Sequence, residues 1–339
     1  MKKIKKTVKC KVPIRRFIAL GPEHPKDYEE ALKLFCRDAP DAFQVIKNRT
    51  DELRVKVNNE PEPPFSFEGV GLFYFPPRND ILDFEFTYEV DVDFVRANNP
   101  NHDLGSDENC SHMVAAESVA QDVLLLFRLN EIAFPGRLKT FGAWVLENDG
   151  EWKNHGLAHT SLRSYYFGDR SLELLKPVSL LEVALWVRKI GVLDEYLATN
   201  ATQRIFASFT RLLTVSDEDD AGLLFYAMQG LEAFFCQGAG GLQKQLAVKC
   251  ALFLDTESSM QRRLNKLYEF RSGFVHGYGN YTHFLCDQSS YKADERKAQS
   301  SLYKSVEFSL LLLLATIQKC VLERIERVNF DTKISKTNF

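Results

Sequence analysis

The chain has 339 residues, of which 45% are hydrophobic and 26% charged, enough apolar material for one large domain or two smaller ones with sizeable cores. A formal net charge of −3 excludes a generally basic nucleic-acid binder, so any nucleic-acid site has to be local. The cysteines (Cys10, Cys36, Cys110, Cys236, Cys250, Cys286 and Cys320) number seven, and none forms a C-x-x-C pair. An odd count of that kind predicts a reducing compartment, with the thiols used as small apolar side chains.

The N-terminus, MKKIKKTVKCKVPIRRFIAL, is basic, and the apolar run that a secretory leader needs does not follow it. Its residues alternate. Ile4, Val8, Cys10 and Val12 share one face of a strand, and Lys3, Lys5, Lys9 and Lys11 share the other. Such a strand suits a phosphate-binding arm, or pairing beside an acidic strand where opposite charges meet across the sheet. An acidic partner exists at 82–94, LDFEFTYEVDVDF. There Leu82, Phe84, Phe86, Tyr88, Val90, Val92 and Phe94 alternate with Asp83, Glu85, Thr87, Glu89, Asp91 and Asp93. PEPP at 61–64 predicts a turn, and FSFEGVGLFYFPP at 65–77 one or two further strands. The first hundred residues therefore read as β.

A loop is expected at 98–111 and a helix at 112–130. Residues 131–180 read as short strands and loops, interrupted by Gly136, Gly142, Gly150, Gly156 and Gly168. From 181 the hydrophobic period becomes helical. Leu224, Ala227, Met228, Leu231, Phe234 and Phe235 form one stripe behind the acidic SDED at 216–219, which suits a helix N-terminus. GAGG at 238–241 turns the chain into a helix over 242–254, and a third helix starts near Ser258 and Ser259. A long helix follows over 298–326, with Leu302, Val306, Leu310, Leu313, Ile317, Val321 and Ile325 in register. Its most apolar stretch, FSLLLLLATI at 308–317, is roughly half of what a bilayer-spanning helix needs, so a buried helix in a cytoplasmic protein is expected.

The third helix poses the functional question. Its stripe runs Met260, Leu264, Leu267, Arg271, Val275, which puts a guanidinium where the pattern otherwise places leucine. Arginine cannot shed its charge, and burying it unpaired is expensive, so a carboxylate or a bound phosphate must compensate. Glu232, inside the apolar stretch MQGLEAFF, is the candidate carboxylate. His276 stands five residues beyond Arg271, beside Gly277, which is placed to end the helix; Gly273 suggests that the helix deforms before it does. An imidazole with an unperturbed pKa of about 6.5 is a usable acid or base near neutral pH.

LYEFRSGFVHGY at 267–278, preceded by LLFYAMQGLEAFF and followed by a long apolar helix, resembles the HEPN superfamily and, within it, the Apea-like group. The family hallmark is R-x(4–6)-H, often followed by glycine; Arg271, His276 and Gly277 fit it, over a resemblance that spans residues 200–330. What that resemblance implies is metal-independent RNA cleavage in a homodimer, without a cofactor or bound metal. Arg271 would stabilise the phosphate and His276 would move protons, with Glu232, Glu269 and Ser272 in support. RNA, tRNA among the candidates, would be the substrate, and anti-phage defence or a toxin-like stress response the setting. The same resemblance leaves a catalytically silent module open, one that binds a partner or a nucleotide.

Other patterns carry less. Arg96 and His102 satisfy R-x(5)-H in a loop. HGLAH at 155–159 spaces two histidines for a metal but is not H-E-x-x-H, and GAGGLQK at 238–244 lacks the G-K-[ST] ending of a phosphate loop. The expectation is an α+β chain: a β-rich domain over 1–110, a mixed region packing on it over 111–180, and a HEPN-like all-α bundle over 181–330.

Overall fold

The structure is a computed structural model. It describes residues 2–15, 24–47, 51–58, 79–101, 103–140, 142–156, 174–195, 197–215, 219–238, 240–256, 258–277, 292–328 and 330. The chain divides into two compact units, Met1–Tyr165 with Pro177–Arg188, and Tyr166–Lys176 with Lys189–Phe339. The class is α+β, with every described strand in the first unit.

The first unit is built on one antiparallel sheet of β1 (Lys3–Arg15), β2 (Glu52–Asn58), β3 (Asn79–Asp91), β4 (Lys139–Thr140), β5 (Gly142–Leu146) and β6 (Trp152–Gly156). The order is β2-β3-β1-β5-β6, with β4 beside β1. The basic strand and the acidic strand are neighbours: Lys3 faces Asp91, Lys5 faces Glu89, Lys9 faces Glu85 and Lys11 faces Asp83. On the other side of the same two strands Val8 faces Phe86, Cys10 faces Phe84 and Val12 faces Leu82, all buried. Charge complementarity on one face and apolar burial on the other select the same register, since a slip of one residue would invert both.

Three details differ from the sequence expectation. Residues 24–47, read as part of a β region, form the helix α1 (His24–Lys47), whose Tyr28, Ala31, Leu32, Phe35, Ala39, Ala42, Phe43 and Ile46 are buried. Steps of three and four make one apolar stripe, a helical period that the strands on either side obscured. The strand expected to reach residue 94 stops at Asp91, whose carboxylate accepts the Phe94 N–H at 3.0 Å and caps α2 (Val92–Asn98). Phe94 is consequently exposed rather than buried. The loop expected at 98–111 ends early because Ser106 caps α3 (Asp107–Ala133) by accepting the Asn109 N–H at 3.2 Å. The expected strands at 65–77 and the turn at 61–64 lie outside the described residues.

α1 and α3 cover the apolar face of the sheet. Phe35 of α1 meets Phe127 of α3 at 5.0 Å between ring centroids, and Phe43 meets Phe86 of β3 at 5.3 Å. Burying each such ring stabilises the unit by roughly 1.5–3 kcal/mol. β5 and β6, from the stretch read as mixed, extend the same sheet, and α4 (Leu180–Lys189) groups with this unit up to Arg188.

The second unit contains α5 (Ala201–Leu212), α6 (Asp220–Phe235), α7 (Leu242–Phe253), α8 (Ser258–Val275) and α9 (Ala293–Leu322). Asn200 and Gln203 form a capping box on α5, and Asp219, the last acid of SDED, accepts the Gly222 N–H at 2.8 Å to start α6. α6 is the central helix, packed against α5, α7, α8 and α9. Gly230 permits this. A Cβ there would stand 2.9 Å from Leu313 Cδ1 of α9 and 3.1 Å from Ser208 Cβ of α5. The expected stripe of α6 is buried throughout, as is that of α9 from Leu302 to Val321. By length and composition α9 could cross a membrane; 78% of its most apolar window is buried within the chain.

Candidate active site

The third-helix pattern is realised in α8, where Met260, Leu264 and Leu267 are buried. Arg271 follows in that stripe and reaches α6: its Nη2 donates to Glu232 Oε2 at 3.1 Å, with side chains 18% and 17% exposed. The carboxylate proposed from sequence is thus the partner. Val275, expected to close the stripe, is exposed, because α8 ends there.

The pair is only half made. Arg271 Nε and Glu232 Oε1 are both buried and have no hydrogen-bond partner among the described residues. Leaving such groups unsatisfied costs about 1–3 kcal/mol each. Burial raises the Glu232 carboxyl above the ordinary carboxylate range, and the Arg271 charge pulls it back only in part. A guanidinium held on one prong, beside an acid that its partner does not fully stabilise, retains capacity for a second anion.

His276 is exposed just past the end of α8. Its backbone N–H donates to Ser272 O at 3.0 Å, so helical hydrogen bonding continues through this residue. Gly273 lies within the helix and does not break it. Gly277, at φ +73°, takes the left-handed conformation that terminates it. Five positions apart on a regular helix, Arg271 and His276 leave the axis roughly 140° apart. The Arg271–Glu232 contact is made within one chain, while ideal helix geometry starts the His276 side chain in a different direction. Ser272 is half-buried and supplies the carbonyl under His276, whereas Glu269 is exposed.

Two neighbours were not singled out from the sequence. The Tyr268 ring lies one turn before Arg271, its centroid 6.0 Å from the guanidinium carbon. Burial and the Glu232 charge raise its hydroxyl pKa. The signal was the i, i+3 spacing of Tyr268 and Arg271, which places both on one helix face. Cys236 closes α6, its N–H donating to Glu232 O at 2.8 Å, and burial pushes its thiol up to about 11. That excludes a ready thiolate nucleophile.

The weaker patterns resolve as follows. Arg96 donates to Gly105 O at 2.6 Å and Asp107 Oδ1 at 3.1 Å, while His102 lies outside the described residues. His155 sits on β6, 3.5 Å from Glu147 Oε1, and His159 is not among the described residues. No group of three His, Cys, Asp or Glu among the described residues is arranged to hold a metal. Gly238 and Gly241 both have positive φ, at +72° and +64°, and form the turn into α7.

No protein-family model matches this chain, and neither do any curated protein or solved structure.

Proposed function

We propose that the chain is a HEPN-type, metal-independent endoribonuclease acting through Arg271 and His276. The observation that carries this reading is the half-made contact between Arg271 and Glu232: a permanent cation, near the surface and anchored on one side, with a buried N–H still lacking an acceptor. A ribose 2′-OH attacks the adjacent phosphorus, the 5′-oxygen leaves, and the products carry a 2′,3′-cyclic phosphate and a 5′-OH. Arg271 stabilises charge on the phosphate oxygens, and His276 transfers the proton. Glu232 orients the guanidinium. The requirement for a 2′-OH restricts the substrate to RNA.

A single histidine, offset from Arg271 by about 140° round an ideal helix, is thin for a reaction that needs both a base and an acid. A two-fold homodimer supplies Arg271 from one protomer and His276 from its partner in a shared cleft. The family resemblance sets this activity in anti-phage defence or a toxin-like stress response.

A second reading is favoured by the same contact. Arg271 paired with Glu232 is also what a silent HEPN module would contain, with the ion pair serving the fold and another surface binding a partner. RNA cleavage in EDTA separates the two readings. The nuclease cleaves mixed RNA as wild type and loses cleavage on Arg271→Ala and on His276→Ala, each with unchanged circular dichroism. Equal cleavage by all three chains, or none by wild type as a dimer, would reject this assignment.

A further inference from the structure

The solvent face of the first unit's sheet forms a trough of about 460 Å³ that crosses the strands from β2 to β6. Lys9 and Lys11 of β1 and Arg54 and Lys56 of β2 line it with cations, and Trp152 of β6 forms its far wall. Asp83 and Glu85 of β3 are the only carboxylates in the lining among the described residues.

These two acids do not consume the four cations. Asp83 accepts Lys11 at 3.0 Å and Asn58 at 3.1 Å, while Lys56 stands off at 3.8 Å. Glu85 has Arg54 only at 3.8 Å. The Arg54 and Lys56 side chains are 79% and 77% exposed. Lys9 is exposed, faces Glu85 in register, and has no ion-pair partner among the described residues. By contrast, Lys3 at the end of the ladder is paired with Glu89 at 2.6 Å. The trough thus carries surplus positive charge in a chain whose formal net charge is −3.

We infer that this trough binds the phosphate backbone of single-stranded RNA, with Trp152 offering a face on which a base stacks. Charge selects the ligand: a phosphate chain neutralises Lys9, Arg54 and Lys56 together and releases counterions. Five strands span about 19 Å, a reach of several nucleotides for an extended chain. Only an unpaired base can stack on an aromatic ring, so Trp152 favours a single strand over a duplex. The trough belongs to the first unit and the α6–α8 site to the second, and the trough's assignment does not depend on RNA being cleaved at that site.

The test is fluorescence anisotropy of a labelled 2′-O-methyl RNA 20-mer of mixed sequence, titrated with the full chain across a salt series. The 2′-O-methyl groups block attack by the ribose, so the reading is binding alone, whether or not the chain is a nuclease. A Lys9→Gln/Arg54→Gln/Lys56→Gln chain, its fold checked by thermal melting, is expected to bind at least tenfold more weakly at low salt. The slope of log affinity on log salt should become shallower by about 2, at roughly 0.7 per cation removed. Trp152→Leu should weaken binding without changing that slope. Unchanged affinity and slope in the triple variant, or no binding by wild type at low salt, would overturn the inference. So would competition by polyglutamate as strong as by unlabelled RNA, since an acidic protein segment would then fit as well.

Discussion

The β1–β3 ladder and the α6–α8 contact solve the same problem, opposite charges brought together by folding, and solve it differently. In the ladder, lysine and carboxylate alternate in matched register along solvent-facing strands, so each charge has water or a neighbour to fall back on. Between α6 and α8, one arginine and one glutamate meet inside an apolar pattern, and each keeps a buried polar atom without a partner. Redundancy lets the ladder hold its register without depending on any one pair. Incomplete satisfaction makes the helix contact a place where a ligand has something to gain.

The widest separation between the two is expected in RNA cleavage. Arg271→Ala should lower it by more than about 100-fold, because stabilisation of the developing phosphate charge is lost. Arg271→Lys should recover only part, since an ammonium lacks the planar fork that grips two oxygens. Lys3→Ala, which removes the 2.6 Å Lys3–Glu89 pair of the ladder outside the trough, should leave the turnover of saturating RNA unaltered. Initial rates on a labelled RNA check all three.

Stability gives the next contrast. Gly230→Val drives a branched side chain into Leu313 and Ser208 at the crossing of α5, α6 and α9, two residues from Glu232. Overpacking of this kind costs about 1–3 kcal/mol, read as a lower urea midpoint with an unchanged m-value. At the ladder, Lys3→Ala should leave the midpoint within experimental scatter, since the Lys3–Glu89 pair is exposed and screened.

A smaller effect belongs to pH. His112 of α3 is buried, with neither ring nitrogen hydrogen-bonded among the described residues. Its pKa is lowered from 6.5 by burial and then by Lys6, while Glu147, Glu108 and Asp149 oppose the shift. The folded unit therefore resists a proton that the unfolded chain accepts. That stability is present above the ordinary histidine pKa and is lost as pH falls through it toward the lowered folded value. Wild type should lose urea stability between about pH 7.5 and 5.5, and His112→Leu should lose less over that interval. Identical pH slopes would remove His112 from the explanation.

Much of the fold was legible because its periods are clean. The strict alternation of residues 82–91 and the stripes of α6 and α9 each have one physical solution. α1 was hidden by its neighbours, a helical stripe embedded between strands, and the end of β3 depended on Asp91 turning from strand residue to helix cap. At the site, a guanidinium in a leucine position pointed to Glu232 across two helices, because burial of a fixed charge demands a partner. The exposed Val275 and the place of Tyr268 beside the arginine were less accessible, since both depend on where α8 stops and on which turn faces α6. The HEPN resemblance rests on residues 267–278 and their helical setting.

The most direct measurement is the chemistry of the cut ends. Mixed RNA is incubated with the purified full chain in EDTA, and the fragments are examined by mass spectrometry. The proposed reaction predicts 2′,3′-cyclic phosphate and 5′-OH termini that vanish with either Arg271→Ala or His276→Ala. Fragments ending in 3′-OH and 5′-phosphate, or cyclic-phosphate ends that persist in both variants, would contradict a reaction run by Arg271 and His276.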